Sequence, residues 1–144
     1  MLFQNAYTID PQNELICYKF AQSLIGSDRS GEAEQILKKS LKINPDYEKT
    51  LTLLGDLALK SKDTLTATGY YEQAIRSNQK SFETYIKLAD LWNETNVIKA
   101  RNVLRDCLKL NSRYKPALGA LAETYRKTDP VMARKYDELR YKLK

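Results

Sequence analysis

Residues 51–74 read LTLLGDLALKSKDTLTATGYYEQA. In the first half, apolar or small residues stand at Leu51, Leu54, Gly55 and Ala58. In the second half they stand at Ala67, Tyr71 and Ala74. Both spacings follow one face of an α-helix, and the polar break 61–63 separates them. The stretch therefore predicts two helices joined by a tight turn, with small residues where the helices approach each other.

The same order of small and large residues recurs along the chain. Polar residues that end a helix stand at Asp10, Asn44, Asn78 and Asn111, spaced by 34, 34 and 33 residues. We expect the asparagines to end their helices in the left-handed conformation. A helix pair that cannot bury its own apolar face must stack on a copy of itself, so this period predicts an array of helix pairs.

The period divides the chain into a partial repeat and four full repeats, which we expect to form a single domain. The partial repeat is 1–13, and its start in mid-unit predicts that the natural protein continues upstream. The full repeats are 14–47, 48–81, 82–114 and 115–144. Their leading helices are predicted at 14–26, 48–60, 82–94 and 115–127. Their second helices are predicted at 30–43, 63–77, 97–110 and 130–144.

Helix starts and the last helix give further expectations. Asp63, Asn96 and Asp129 are predicted N-caps because each precedes a second helix. Arg29 stands at this place in the first repeat, so Asp28 or Ser30 is expected to cap there instead. The last helix is predicted to be a C-terminal cap with a polar outer face. Its inward apolar contacts are expected at Val131, Tyr136, Leu139 and Leu143.

The composition argues against catalysis. The chain of 144 residues contains no histidine, the commonest general base and zinc ligand. No glycine-rich loop opens a helix, and we predict no catalytic residue, metal, cofactor or small-molecule substrate. Cys17 and Cys107 are expected to be buried thiols and not a disulfide. The chain shows neither a secretory signal nor an apolar run of about 20 residues, which favours the cytoplasm without fixing the compartment.

These residues resemble the tetratricopeptide repeat, a 34-residue unit with the pattern W-x2-L-G-x2-Y, A-x3-F, then P. The family's alanine falls on Ala33, Ala67, Ala100 and Ala133. Its small residue falls on Ala21, Gly55, Ala89 and Ala122, its aromatic on Trp92 and Tyr125, and its proline on Pro11 and Pro45. Gln79 and Ser112 replace the proline in two repeats, and the third and fourth repeats are one residue short in the turn.

The resemblance implies an all-α fold, a right-handed superhelical solenoid of antiparallel helix pairs. The leading helices of such a solenoid line a concave groove that accepts a peptide or helix of a partner protein. The groove positions correspond here to Tyr18, Gln22, Lys49, Thr52, Asp56, Glu83, Ile86, Asp90, Asn93, Glu123 and Arg126. Gln22, Asp56, Asp90 and Glu123 would form an acidic row beside an apolar floor. This arrangement favours a ligand with apolar anchors and a basic group, although an ordinary solvated face is the alternative.

The formal net charge of +6 lies entirely on the second helices, mainly the last two. We expect a basic convex face made of Arg101, Arg105, Lys109, Arg134, Lys135 and Arg140. The alternative function is therefore an accessory module that contacts nucleic acid or an anionic membrane through this face. Nucleic acid is not the favoured partner, because no aromatic platform is interleaved with these charges. At the other end, exposed Leu2 and Phe3 predict self-association through the N-terminal edge.

Overall fold

The computed structural model describes residues 2–143. Within this range the chain folds entirely into helices and turns, which confirms the predicted all-α helical-repeat class. The helices are α1 (Leu2–Ile9), α2 (Glu14–Gly26), α3 (Ser30–Ile43), α4 (Glu48–Lys60), α5 (Thr64–Ser77), α6 (Phe82–Thr95), α7 (Val97–Leu110), α8 (Lys115–Tyr125) and α9 (Pro130–Lys142). None of these helices is long and apolar enough to cross a membrane.

The chain divides into two compact units, one ending at Asn78 and the other beginning at Gln79. The first unit contains α1–α5 and the second contains α6–α9. In each unit the leading helix of a pair packs against the second helix, and the second helix packs against the next leading helix. Each unit is thus a stack of helix pairs.

The first unit has its core between the helices of its pairs. Around α2 and α3 the buried side chains are Cys17, Ala21, Leu24, Ala33, Ile36 and Leu37, joined by Leu54 and Leu57 of α4. Between α4 and α5, Gly55 meets the ring of Tyr71, which is fully buried. The partial repeat contributes α1, which has no buried residue and covers the edge of α2 through a contact between Tyr7 and Phe20 with ring centroids 5.3 Å apart.

The second unit repeats this arrangement with different side chains. Its buried residues include Tyr85, Leu88 and Ala89 of α6, Ala100, Leu104 and Cys107 of α7, and Leu118, Leu121 and Ala122 of α8. Small residues again lie where two helices approach, as the sequence predicted. Cys17 and Cys107 are both free and buried, which confirms their expected role as apolar core residues.

The predicted N-caps are confirmed. The carboxylate of Asp63 accepts a hydrogen bond from Thr66 N at 3.1 Å, and the side chain of Asn96 accepts one from Lys99 N at 3.1 Å. The carboxylate of Asp129 accepts one from Met132 N at 3.0 Å. Each side chain satisfies an amide that the first turn of a helix leaves without an intrahelical partner.

The cap predicted for the first repeat was wrong, since neither Asp28 nor Ser30 caps α3. Arg29 is the N-cap residue and makes no side-chain cap bond; its guanidinium pairs with Glu32 at 2.6 Å. Asp28 instead takes the left-handed conformation with φ 60°, as Lys62 does with φ 63° in the second repeat. In the two shorter repeats Thr95 and Thr128, which precede the N-caps, are not left-handed, so the missing residue is the one that turns left-handed.

The asparagines that end the second helices do so differently from the expectation. Asn44, Asn78 and Asn111 have φ of −129°, −142° and −143°, which is extended backbone. The side-chain oxygens of Asn44 and Asn111 each accept a hydrogen bond from the amide two residues later, at 3.2 Å. The asparagine side chain therefore makes the turn, and no left-handed residue is needed.

The contacts predicted for the last helix were partly wrong. Val131 is 78% exposed and Leu139 is 44% exposed. Tyr136 does turn inward and stacks on Tyr125, with ring centroids 5.9 Å apart, and Ala133 is the residue of α9 that is buried. Among the helices of the described chain, α9 packs mainly on α8, so a narrower stripe of its surface is covered than the sequence pattern suggested.

Candidate functional site

The predicted groove residues of the first unit all lie at the surface. Tyr18, Thr52 and Asp56 are half-buried, and Gln22 and Lys49 are exposed. Large apolar side chains are accessible on the same two helices, since Leu15 is 50% exposed and Leu59 is 41% exposed. This surface therefore presents apolar side chains beside polar groups.

Two of the polar groups on this surface are held by neighbouring side chains. The amide of Gln22 donates a hydrogen bond to the hydroxyl of Tyr18 at 2.8 Å. The hydroxyl of Tyr71 on α5 donates one to Asp56 Oδ1 at 2.6 Å. Burial, reinforced by this bond to Asp56, raises the pKa of Tyr71 far above its ordinary value. Tyr71 therefore remains a hydrogen-bond donor that fixes the orientation of the Asp56 carboxylate.

The second unit also presents its predicted groove residues at the surface. Glu83, Asp90 and Asn93 are exposed and Ile86 is half-buried on α6. Glu83 lies 3.7 Å from the Lys87 ammonium. Desolvation by nearby atoms raises the pKa of the Asp90 carboxyl, although part of that side chain still reaches solvent. Asp90 is thus an acid on this surface whose charge is disfavoured by its surroundings.

The last acid of the predicted row is compensated by its neighbours. Glu123 forms an ion pair with Arg126, and Arg126 also lies 3.4 Å from Asp137 on α9. The sequence predicted Glu123 and Arg126 as separate groove residues; the structure brings them together. The sequence did not predict Tyr71, which orients Asp56, among the groove residues. Its position opposite Gly55 could have indicated that its side chain reaches α4.

Two of the predicted basic residues lie in the contact between α7 and α8. The guanidinium carbon of Arg101 lies 3.7 Å from the centre of the Tyr125 ring. Its Nη2 donates hydrogen bonds to the carbonyl of Thr124 at 2.6 Å and to the hydroxyl of Thr128 at 2.8 Å. Arg105 donates to the Tyr125 hydroxyl at 2.5 Å. These arginines connect one helix to the next.

The other basic residues differ in their surroundings. Lys109 pairs with Asp106 at 2.7 Å, and Arg140 lies 3.6 Å from Asp137 and donates to the Tyr141 hydroxyl. Arg134 and Lys135 are exposed. Among the described residues, no three or more acidic, cysteine or histidine side chains come together as a metal site.

Comparison with known proteins shows a sequence similarity over the first part of the chain. The sequence model of the tetratricopeptide repeat family matches residues 1–57. Over this part the chain is similar to that family. The pattern of alanines and helix pairs continues beyond them at the same period, and the structure shows the same kind of helix pair in the later repeats. No curated protein sequence matches the chain.

Solved structures share the fold over nearly the whole chain. A crystal structure of MamA is similar with a TM-score of 0.80 and 18% identity, covering 96% of this chain and 82% of that one. A second crystal structure of MamA protein has a TM-score of 0.77 and 18% identity, covering 96% and 76%. A MamA RS-1 double mutant has a TM-score of 0.77 and 16% identity, covering 98% and 80%. At these identities the likeness concerns the fold alone.

Proposed function

We propose that this chain binds a peptide or helix of a partner protein through its leading helices and has no catalytic activity of its own. The observation that carries this proposal is the mixed character of the predicted groove residues. Accessible leucines, Leu15 and Leu59, stand on the same helices as Tyr18 and the oriented carboxylate of Asp56. Apolar anchors supply affinity, and a fixed charge selects the ligand.

The ligand class follows from the charges on these helices. Asp56 in the first unit and Asp90 in the second stand at equivalent places one repeat apart. Asp90 is exposed and Asp56 is half-buried, so both residues reach the surface of their helices. A partner segment with apolar side chains and a lysine or arginine would satisfy both features.

Selection from a displayed library of random peptides tests this proposal. We expect the selected peptides to combine apolar residues with a basic residue. Peptides that bind the first unit should bind Asp56→Asn about tenfold more weakly, and peptides that bind the second unit should bind Asp90→Asn about tenfold more weakly, because a charge-assisted hydrogen bond is lost. Asparagine at position 56 still accepts the hydrogen bond of Tyr71, so circular dichroism should show an unchanged fold.

A matched control removes an acid from a second helix. Glu72 is exposed on α5, and Glu72→Gln should leave peptide binding unchanged. Selected peptides that bind equally well to Asp56→Asn, Asp90→Asn and Glu72→Gln would refute the leading helices as the binding surface. Turnover of any small molecule by the purified chain would refute the non-catalytic assignment.

The alternative function, contact with nucleic acid or an anionic membrane through the second helices, has weaker support. Arg101 and Arg105 are already engaged by α8, so fewer of the basic residues are available to an anion. This alternative predicts salt-sensitive retention on DNA or on vesicles with anionic lipid. Retention that persists at about 0.15 M salt and is lost in Lys135→Glu would replace the peptide proposal.

We also infer self-association through the N-terminal edge. Leu2 is 77% exposed, Ile9 is 84% exposed, and α1 contains no charged residue. Two copies could therefore meet at α1 without like-charge repulsion, despite the positive net charge of the chain. Light scattering should show a concentration-dependent mass that Ile9→Lys reduces to the monomer. A strict monomer at high concentration would refute this inference.

A further inference from the structure

A surface cavity of about 470 Å³ lies along α9 in the second unit. Arg126 lines it at the end of α8, and Ala133, Arg134, Asp137, Glu138 and Tyr141 line it along the helix. Arg134 and Glu138 are exposed, and neither forms a hydrogen bond or ion pair with another described residue. The cavity thus combines two uncommitted charges with an accessible aromatic ring, since Tyr141 is 76% exposed.

The equivalent surface of α7, the second helix of the preceding repeat, packs against another helix. Counting back 33 residues, Arg134 and Glu138 correspond to Arg101 and Arg105. In α7 these two positions hold the next helix: Arg101 stacks on Tyr125 and bonds to the carbonyl of Thr124, while Arg105 bonds to the Tyr125 hydroxyl. The cavity on α9 therefore lies where the repeat period would place another helix.

We propose that α9 docks an amphipathic helix of another protein that carries a tyrosine near its C-terminal end. Arg134 would stack on the tyrosine ring and donate to the last carbonyls of the docked helix, as Arg101 does with α8. Glu138 replaces an arginine, so the tyrosine hydroxyl would donate to its carboxylate and would not accept from a guanidinium. A phenylalanine could make the first contact but not the second.

Asp137 adds a second element of selectivity. It corresponds to Leu104, which is fully buried. The Asp137 carboxylate lies 3.4 Å from Arg126 and 3.6 Å from Arg140. A docked helix with an entirely apolar face would press apolar groups on this charged cluster, which is unfavourable. The occupant is therefore expected to carry a polar side chain opposite Asp137.

The proposal is tested with a hydrocarbon-stapled, fluorescein-labelled peptide that has the sequence of residues 114–128, YKPALGALAETYRKT. The staple is required because an isolated helix of this length is marginal in water. Fluorescence anisotropy against the whole chain should show saturable binding. Arg134→Glu should weaken it by about tenfold or more, because it removes the cation and repels the helix C-terminus.

Matched controls separate docking from general charge effects. Lys135→Glu makes the same charge change at an exposed neighbour that does not line the cavity, and it should alter affinity by less than about twofold. A peptide with the tyrosine at its twelfth residue changed to phenylalanine should bind more weakly to the wild type. That difference should become smaller in Glu138→Gln, because the hydroxyl then donates to a neutral amide oxygen and not to a carboxylate.

Several outcomes would overturn the proposal. These are absence of binding up to about 1 mM peptide, equal weakening by Lys135→Glu and Arg134→Glu, or amide NMR shifts that map away from α9. Dimerisation of the chain that Arg134→Glu abolishes would assign the surface to a second copy instead. Because the peptide also carries apolar and basic residues, weakening by Asp56→Asn and not by Arg134→Glu would assign its binding to the leading helices and would overturn docking on α9. Failure here is therefore distinguishable from failure of the function proposed for the leading helices.

Discussion

Gly55 on α4 lies so close to Tyr71 on α5 that a Cβ atom added at Gly55 would overlap Cε1 of the tyrosine ring. The ring is fully buried and cannot move aside. At the equivalent places the first repeat has Ala21 and Leu37, and the third has Ala89 and Leu104, all of them buried. The glycine therefore compensates for the larger tyrosine.

Gly55→Ala should lower the free energy of unfolding by about 1–3 kcal/mol, because the methyl group overpacks the contact with Tyr71. Urea denaturation followed by circular dichroism measures the change. The double variant Gly55→Ala, Tyr71→Leu recreates the alanine–leucine pair and should be more stable than the sum of the single effects predicts. Simple additivity of the two substitutions would contradict the compensation.

Gly69→Ala is the matched control for this prediction. Gly69 lies exposed in the middle of α5, and a Cβ atom there would meet nothing within 4 Å. The substitution should raise the free energy of unfolding by about 0.5–1 kcal/mol, because alanine loses less conformational entropy in a helix. If Gly69→Ala also lowered the free energy of unfolding, the loss at Gly55 could not be assigned to its contact with Tyr71.

Arg101→Ala should lower the free energy of unfolding by about 2–3 kcal/mol, since the contact between α7 and α8 loses a cation–π contact and charge-assisted hydrogen bonds. Arg101→Lys should retain only part of this stabilisation, because an ammonium group cannot both stack on Tyr125 and reach Thr124. Thermal or urea unfolding measures both. Arg113→Ala, at an exposed arginine, should change stability by less than about 0.5 kcal/mol.

The two thiols should be unreactive in the folded chain. Burial raises the pKa of the Cys107 thiol to about 11 and also raises the pKa of Cys17. At pH 8 the reactive thiolate of Cys107 is therefore about one part in a thousand. A chromogenic disulfide reagent should label neither thiol in buffer and both in denaturant. Rapid labelling without denaturant would show that the core around these residues opens.

The Asp63 cap should make stability depend on pH. Its hydrogen bond from Thr66 lowers the pKa of the Asp63 carboxyl below the ordinary value of 3.8. The folded-state pKa is thus below that of the unfolded chain, so this stabilisation is complete above about pH 4 and is lost as the pH falls through the folded-state pKa. The difference in free energy of unfolding between the wild type and Asp63→Asn should therefore shrink as the pH falls from about 5 to about 2.

Asn96 supplies the internal comparison, because its amide makes the same kind of cap without a titratable group. The effect of Asn96→Ala on the midpoint of unfolding should be the same at every pH in this range. A pH-dependent effect at Asn96 would show that the low-pH change arises elsewhere in the chain and not at the cap of α5.

The sequence predicted well those features that depend on a few neighbouring residues. The helix bounds, the N-caps at Asp63, Asn96 and Asp129 and the small residues at helix contacts all follow from spacings of three or four residues along one helix. The candidate site was predictable only as a set of surface positions. That Asp56 is held by Tyr71, and Glu123 by Arg126, depends on the side-chain rotamers and on which residues stand opposite.

By itself, the order of residues determined the repeat period, the helix pairs and the buried stripe of each helix, because these properties are local and recur. Only the tertiary structure decided that Gly55 must accommodate Tyr71, that Arg101 and Arg105 join α7 to α8, and that Val131 and Leu139 stay exposed. Such contacts connect residues on different helices. Their free energies depend on the distance, shape and burial that the packed structure alone provides.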